Sequence, residues 1–346
     1  MVSLAGQVRP VNRQLVGVGF VLLVLTTTAT LLAAFAEFAW VADIAVHFRA
    51  QYAAGALLAA LLLFGGARPR WASVALLIMF TNAWFVAASL RLPAGPSLAP
   101  LPRTARAGGD PAPVSRYADG IRVAALNVLH RNDEYDHVIN WLRTEHADVV
   151  AIEEASPAWL ERLAVLDKDY PSRRMSASDG RFRTLLLSRW PLQEPIQFVA
   201  EPDGRQAEAV ALIRGMHLHV VAVHAVWPLT PEYASRRNRE FARFAVGARR
   251  VREPLVLIGD FNSSALSPHF QNELLADGGL RSASAGRGWQ PTWPAALLLF
   301  GIQIDHALVS PQVEVLSFRR GPRVGSDHRP IIVDLALNDS RSRSLD

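Results

Sequence analysis

The sequence predicts an α+β fold, packed β-sheets with helices outside them, preceded by three membrane-spanning helices. Three observations carry this. Between residues 121 and 337, short apolar runs of strand length alternate with polar turns. Only two stretches in that region keep a helical period. Ahead of them stand three long apolar segments without a charged residue.

Those segments are residues 15–35, 50–67 and 71–90. At a rise of 1.5 Å per residue, roughly 20 residues cross a bilayer core. "AFA" at 34–36 would pass for a signal-peptide cleavage site. The apolar stretch before it is too long for a typical signal peptide, and two more follow, so three spanning helices are expected over a membrane domain of residues 1–91. Trp71 and Trp84 fit interfacial aromatics. Arg9, Arg13, Arg68 and Arg70 lie on one side of the expected spans, and Arg49, Arg91, Arg103 and Arg106 on the other. The short positive loop "ARPR" is the kind that stays cytoplasmic, which puts the C-terminal domain on the periplasmic or extracellular side. Residues 92–120, rich in Pro, Ala and Gly, read as a semi-extended linker.

From residue 121 the expected strands are "IRVAALNVL", "DVVAIEE", "RTLLLSR", "AEAVALIR", "LHVVAVHAV", "PLVLIGDFN", "IDHALVS" and "RPIIVDLAL". The expected helices are "YDHVINWLRTEH" and "EYASRRNREFARFAVGARR". In the second, Phe241, Phe244, Ala248 and Val251 share one face and most arginines take the other. Many strands with few helices describe one domain over 121–337, with residues 338–346 as a disordered tail.

The chain of 346 residues has no cysteine, which excludes disulfides, thiolate catalysis and Cys-ligated metals. Its net charge of +5 points at first to a polyanion. The nine basic and four acidic residues before residue 121 account for all of that excess, so the rest of the chain is neutral.

The strand ends carry the chemistry. Asn127 ends one, Glu153 and Glu154 the next, then His224, then Asp260 and Asn262. Asp305 and His306 begin another, and Ser326, Asp327 and His328 precede the last. Any one alone has an ordinary structural reading: Asp-x-Asn after a strand makes a turn, and a lone core histidine is satisfied by its neighbours. Six such segments together describe an oxygen-rich site with imidazoles. Hard oxygen donors suit Mg²⁺ or Mn²⁺ rather than Zn²⁺. Such a cation neutralises phosphate oxygens, and an imidazole takes a proton from water. The residues therefore point to metal-assisted hydrolysis of a phosphoester.

The order Asn127, Glu154, His224, "GDFN", "IDHALVS", "SDHRPI" resembles the endonuclease/exonuclease/phosphatase superfamily, the deoxyribonuclease I-like fold, over about 121–337. With the segments before it, the chain is similar to membrane-tethered bacterial members, which implies a multi-pass protein of the bacterial inner membrane. The resemblance implies a four-layer α/β/β/α sandwich with the site at one end of the sheets. It implies that Glu154 binds the metal, with Asn127 holding metal or a phosphate oxygen and Asp327 a second metal-site carboxylate. His328 becomes the general base or the partner of the scissile phosphate, with its tautomer fixed by Asp305. Asp260 orients the attacking water, and Asn262 donates to a phosphoryl oxygen. His224 matches the histidine of a Thr-His strand end, although Val223 stands where the Thr would be, and serves as acid or phosphate donor. Glu153 takes the place of a Gln.

Two features bear on substrate. The arginines over 236–252 would track a nucleic-acid backbone, or form a solvated helix face. The run "AALLLF" beside the strand of Asp305 would form an apolar rim favouring a lipid headgroup, or pack as a strand edge. The expected partners are a phosphoester, nucleic acid or phospholipid headgroup, and the bilayer; nothing indicates a protein partner. The non-enzymatic alternative is a catalytically inactive membrane-tethered binding module on the same fold.

Overall fold

The structure, a computed structural model, describes residues 13–91, 120–177, 183–195 and 205–337. Residues 92–119 of the linker expected over 92–120 and the tail over 338–346 lie outside the described residues, as do Arg9, Arg103 and Arg106. The chain divides into two units, the first made mainly of residues up to Ser89.

The first unit is helical: α1 (Arg13–Ala33), α2 (Trp40–Val46), α3 (Arg49–Gly65) and α4 (Pro69–Leu90). α1 and α4 are each long and apolar enough to cross a membrane. The middle segment differs from a single straight span. α2 and α3 are separated by a short break and bent by 66°, so the unit has two candidate spans, or three if the bent pair counts as one. Small residues let the helices meet. Gly19 lies where any Cβ would come within 3.0 Å of the Leu63 side chain, and Ala59, Ala60, Ala72 and Ala75 are buried. One polar network is buried there too. Arg49 donates to Asn82 Oδ1 (3.2 Å) and the Ala33 carbonyl (3.3 Å), and Asn82 donates to Thr30 Oγ1 (2.7 Å).

The second unit is a sandwich of two six-stranded sheets. The first contains β1 (Ile121–Asn127), β2 (Val149–Ala155), β3 (Ser172–Met175), β4 (Arg183–Ser188), β11 (Val313–Arg320) and β12 (Ile331–Leu337), in the order β11-β12-β1-β2-β4-β3. The second contains β5 (Leu192–Gln193), β6 (Ala207–Ile213), β7 (Met216–His224), β8 (Leu255–Asp260), β9 (Arg281–Ser282) and β10 (Asp305–Val309), in the order β5-β6-β7-β8-β10-β9. Each sheet has one parallel pair at its centre, β1 with β2 and β7 with β8. A parallel pair needs a crossover. α5 (Tyr135–Glu145) lies within the first crossover and α7 (Pro231–Arg250) within the second.

Period-two alternation sorts the side chains into layers. Val123, Ala125, Ala151, Val220, Ile258 and Ala307 belong to the core between the sheets. Ala124, Leu126, Val150 and Ile152 pack with Val138 and Leu142 of α5 and Trp159 of α6 (Pro157–Leu163). Val221, Leu257 and Leu308 pack with Phe241 and Phe244 of α7 and with Phe270, in a π-helical segment Phe270–Asp277. The expected α/β/β/α sandwich is what forms. α7 departs from expectation in one respect: Arg237 is fully buried rather than on a solvated face.

His306 faces this outer layer, fully buried, with Nε2 2.9 Å from the Ser263 carbonyl. Burial lowers its pKa to about 4, against partial support from that carbonyl and Asp305. The unfolded chain takes up this proton near pH 6.5, so the folded state loses stability as pH falls from about 6.5 to about 4. The loss is on the order of 3 kcal/mol. The urea midpoint of the detergent-solubilised protein should fall across that window, and His306→Gln should flatten the fall.

Candidate active site

The inward-facing series of four strands run out at the same end of the sandwich. On β1 the inward positions 121, 123 and 125 lead to Asn127. On β7, β8 and β10 the same alternation leads to His224, Asp260 and Asp305. Register places Asp260 beside both His224 and Asp305. Glu154 is the exception to alternation, since its parity would send it with Val150 and Ile152 toward α5. The pairing of β2 with β4 shifts between Ile152 and Ala155, and Glu154 has φ +58°, so a bulge re-aims its carboxylate.

Asn127 is the hub. Its Nδ2 donates to Glu154 Oε1 and to Asp260 Oδ2, both at 3.1 Å, while its Oδ1 accepts from Leu129 N at 3.0 Å. In this geometry Asn127 ties two carboxylates together with its N–H groups. Glu154 Oε2 accepts from the His130 backbone N–H (3.1 Å) and lies 2.7 Å from His130 Nδ1. Burial opposes ionisation of Glu154, but His224 and the bonds from His130 and Asn127 outweigh it and lower its pKa.

His328 is clamped from both sides. Nδ1 lies 3.1 and 3.0 Å from the two oxygens of Asp305, and Nε2 is 3.8 Å from Asp260 Oδ2. Its backbone N–H donates to Ser326 Oγ, which donates to the Asn127 carbonyl. Burial disfavours the charged ring, but Asp305 and Asp260 prevail and raise its pKa to about 10. His328 is therefore an imidazolium at neutral pH, with its proton on Nδ1 shared by Asp305. Asp260 shifts upward because burial and Asp305 outweigh the attraction of His328. His224 is the opposite case. Its Nε2 is 3.8 Å from Glu154 Oε1 and 4.0 Å from Asp260 Oδ2. Burial first, then Arg205, lowers its pKa to about 4, so it is a neutral donor or acceptor at pH 7.

Asp260 and Asn262 form a turn and a site at once. Asn262 N donates to Asp260 Oδ1 (2.8 Å), an Asx turn, and Asn262 has φ +47°. Asn262 Nδ2 donates to the Ala225 carbonyl at 2.9 Å and lies 3.4 Å from Asp260 Oδ2. Phe261 between them is fully buried in the outer layer. Asp327 accepts from Trp293 Nε1 on Oδ2 (3.3 Å), while its Oδ1 is buried without a hydrogen-bond partner.

The donor set fits a hard divalent cation. Asp260, Asp305 and Asp327 all act on His328, the one imidazolium that offsets them. Glu154 joins Asp260 through Asn127, and the orphaned buried oxygen of Asp327 is costly without a cation. Asp260, Asp305 and His328 offer atoms within 4.8 Å of one another, which also satisfies metal-ligand geometry. That trio already holds its own cation in His328. Glu153 adds a fifth carboxyl, fully buried with both oxygens unpartnered, and its pKa is pushed well up by burial, Asp305 and Asp260, so it is held neutral. Gly259 (φ +136°) makes room for it, because a Cβ there would stand 2.5 Å from Glu153 Oε1. His130, Trp293 and the Thr292 hydroxyl, which accepts from Asp305 N (3.2 Å), were not marked by the strand-end pattern. His130 lies three residues beyond the hub Asn127, in a turn whose path the sequence leaves open.

Residues 124–328 match the family described as Endonuclease/Exonuclease/phosphatase. No curated protein matches the chain. Solved structures share the fold. A TDP2 from D. rerio in complex with single-strand DNA product aligns with TM-score 0.51 and 16% identity, over 63% of this chain and 99% of that one. The 3′ phosphatase NExo from Neisseria, bound to a product DNA hairpin, aligns with TM-score 0.51 and 20% identity, over 62% and 99%. An endonuclease/exonuclease/phosphatase from Beutenbergia cavernae aligns with TM-score 0.50 and 20% identity, over 63% and 72%.

The charge excess has a consequence separate from turnover. The unfolded Asp260 ionises near pH 4 and the folded one only near 7, so the folded state loses stability as pH rises from about 4 to about 7 and keeps that loss above it. At pH 8 in EDTA, Asp260→Asn should therefore be more stable than the parent by about 1–2 kcal/mol in urea unfolding.

Proposed function

This chain belongs to the Endonuclease/Exonuclease/phosphatase family and is a metal-dependent hydrolase of ester bonds; from that premise we propose a membrane-anchored, Mg²⁺- or Mn²⁺-dependent phosphoesterase that cleaves by in-line attack of water. The observation that carries this reading is the Asp305–His328–Asp260 row, with His328 held as an imidazolium between two buried carboxylates.

Glu154 and Asp327 are the proposed metal-holding carboxylates, with Asn127 fixing Glu154 in place. Glu154 is ionised and partly open to solvent, and Asp327 brings the unsatisfied oxygen. A bound divalent cation would neutralise phosphoryl oxygens and stabilise charge on the leaving oxygen. Asp260, its basicity raised by burial, orients the water and receives its proton. His328 donates from Nε2 to a phosphoryl oxygen, which makes it the partner of the scissile phosphate rather than the base, since it already carries a proton. Asp305 holds the ring by Nδ1, as an orienting carboxylate does. Neutral His224 donates or accepts at Nε2 beside Glu154 and Asp260. Asn262, whose Nδ2 donates here to the Ala225 carbonyl, would reach a phosphoryl oxygen by giving up its 3.4 Å contact with Asp260 Oδ2.

The anchor is proposed for α1 and α4, with the α2–α3 pair as a third, bent span in the cell membrane and the catalytic unit on the periplasmic side. The DNA-bound relatives bring nucleic acid forward as a substrate. The helix that would track a phosphate backbone gives it weak support: Arg237 is buried, Arg236 lies 3.8 Å from Glu240, and Arg249 engages Asp277.

Hydrolysis of a soluble chromogenic phosphodiester by the solubilised chain should vanish in excess EDTA and return with Mg²⁺ or Mn²⁺. His328→Gln should lower kcat by about 10²–10³-fold, the usual loss for one oxyanion donor. Because His328 must keep its proton, the parent's rate should persist at alkaline pH and fall only as pH approaches about 10. Turnover that survives EDTA, or a His328→Gln variant with near-parent kcat, would remove this reading.

A further inference from the structure

Beside the site stands a loop with its apolar side chains turned outward. Its base is stapled to the catalytic strands. Trp293 and Ile302 pair as an isolated bridge, the Thr292 hydroxyl accepts from Asp305 N, and the Thr292 carbonyl accepts from Arg329 N at 2.9 Å. The Ala295 N–H donates to the Asp327 carbonyl at 2.7 Å. The tip is a short 3-10 turn, Leu298–Phe300, with no buried residue. Leu299 is 93% exposed, Phe300 63% and Leu297 59%. A rigid base that holds Leu297 and Leu299 out in water is costly unless something covers them.

The second observation is charge. Arg320 reaches across to the Pro291 carbonyl (2.9 Å), and Arg329 to the Gly321 carbonyl (3.1 Å). Arg320 and Arg323 lie close enough to Arg329 to repel its charge. Among the described residues none of the three is paired with a carboxylate, although much of the domain's arginine is. An exposed apolar tip above unpaired arginines matches a leaflet with anionic headgroups over an apolar interior. A nucleic acid would be met by flat aromatic platforms, whereas this tip is largely aliphatic. The bilayer is also within tether range, because the chain carries its own candidate spans and the residues between them and β1 reach at most about 100 Å.

We infer that the loop of residues 294–301 inserts into an anionic bilayer surface, with Arg320, Arg323 and Arg329 on the headgroups, and that the phosphoester cleaved is that of a membrane lipid. This rests on the phosphoesterase reading above and names its substrate class. Asp327 and Asp305 are tied directly to the loop's base, so docking the tip sets the site against the headgroup layer.

The test uses the full chain in proteoliposomes of phosphatidylcholine, with and without phosphatidylglycerol. The chain has no cysteine, so Leu299→Cys takes a fluorescent label at one position. Val165→Cys, at an exposed residue after α6, is the control. A lipid-borne quencher should dim the label at 299 about twofold or more, most strongly with phosphatidylglycerol, and leave the label at 165 unchanged. Equal response at the two positions would overturn the docking. In the same vesicles, Leu299→Asp should hydrolyse phosphatidylglycerol about tenfold more slowly than the parent, yet cleave a soluble chromogenic diester at the parent rate. Parent-like lipid turnover by Leu299→Asp, or cleavage of plasmid DNA with no turnover of vesicle lipid, would overturn the substrate class and leave the phosphoesterase reading standing. Absence of turnover on every phosphoester would remove that reading, while the quenching result still decides docking.

Discussion

Asp260 and Asp305 face each other directly across two antiparallel strands, buried, with like charge. Such a pair is destabilising by itself. His328 offsets it, its ring lying against both carboxylates. Much of the remaining arrangement follows from keeping that row intact. Asn127 braces Asp260 toward Glu154. Ser326 fixes the backbone of His328 to the end of β1. Thr292 caps the start of β10, which carries Asp305. Gly259 leaves space for a neutral Glu153 beneath the row.

The sandwich delivers these groups because two sheets of alternating residues end together. Between the sheets the inward positions are Val, Ala, Ile and Leu, and one step beyond they become Asn, His and Asp. Stability and chemistry are thus separated along each strand. The apolar part supplies the burial that holds the charged part out of water. The low dielectric so created strengthens every interaction in the site and raises the cost of any unpaired group.

Much of this was legible in the sequence. All eight apolar runs expected as strands form strands, because fully buried strands show as dense Val, Ile, Leu and Ala. The strands that were not anticipated, β3, β5, β9 and β11, are edge or near-edge strands or are very short. "SRRM" and "VEVLSFRR" carry exposed or half-buried polar positions that blur the pattern. α6 had a readable start in Ser156 followed by Pro157, but it is short. The strand ends named Asn127, Glu154, His224, Asp260, Asp305 and His328, and the structure brings these six together. Protonation was not legible. Whether His328 is base or donor depends on two carboxylates from other strands, and no local pattern encodes that. His130 escaped for the same reason, since its partner Glu154 comes from the neighbouring strand.

The proposed mechanism divides the labour: Glu154 with Asp327 for the cation, and Asp305, His328 and Asp260 for the proton and the phosphate. Manganese binding to the solubilised chain, followed by electron paramagnetic resonance, tests this most directly because it needs no substrate. Glu154→Gln should weaken Mn²⁺ binding by about tenfold or more, while His328→Gln should bind Mn²⁺ at least as well as the parent, having lost a competing positive charge. Loss of Mn²⁺ binding in His328→Gln with binding retained in Glu154→Gln would place the cation among Asp260, Asp305 and His328 and overturn that division.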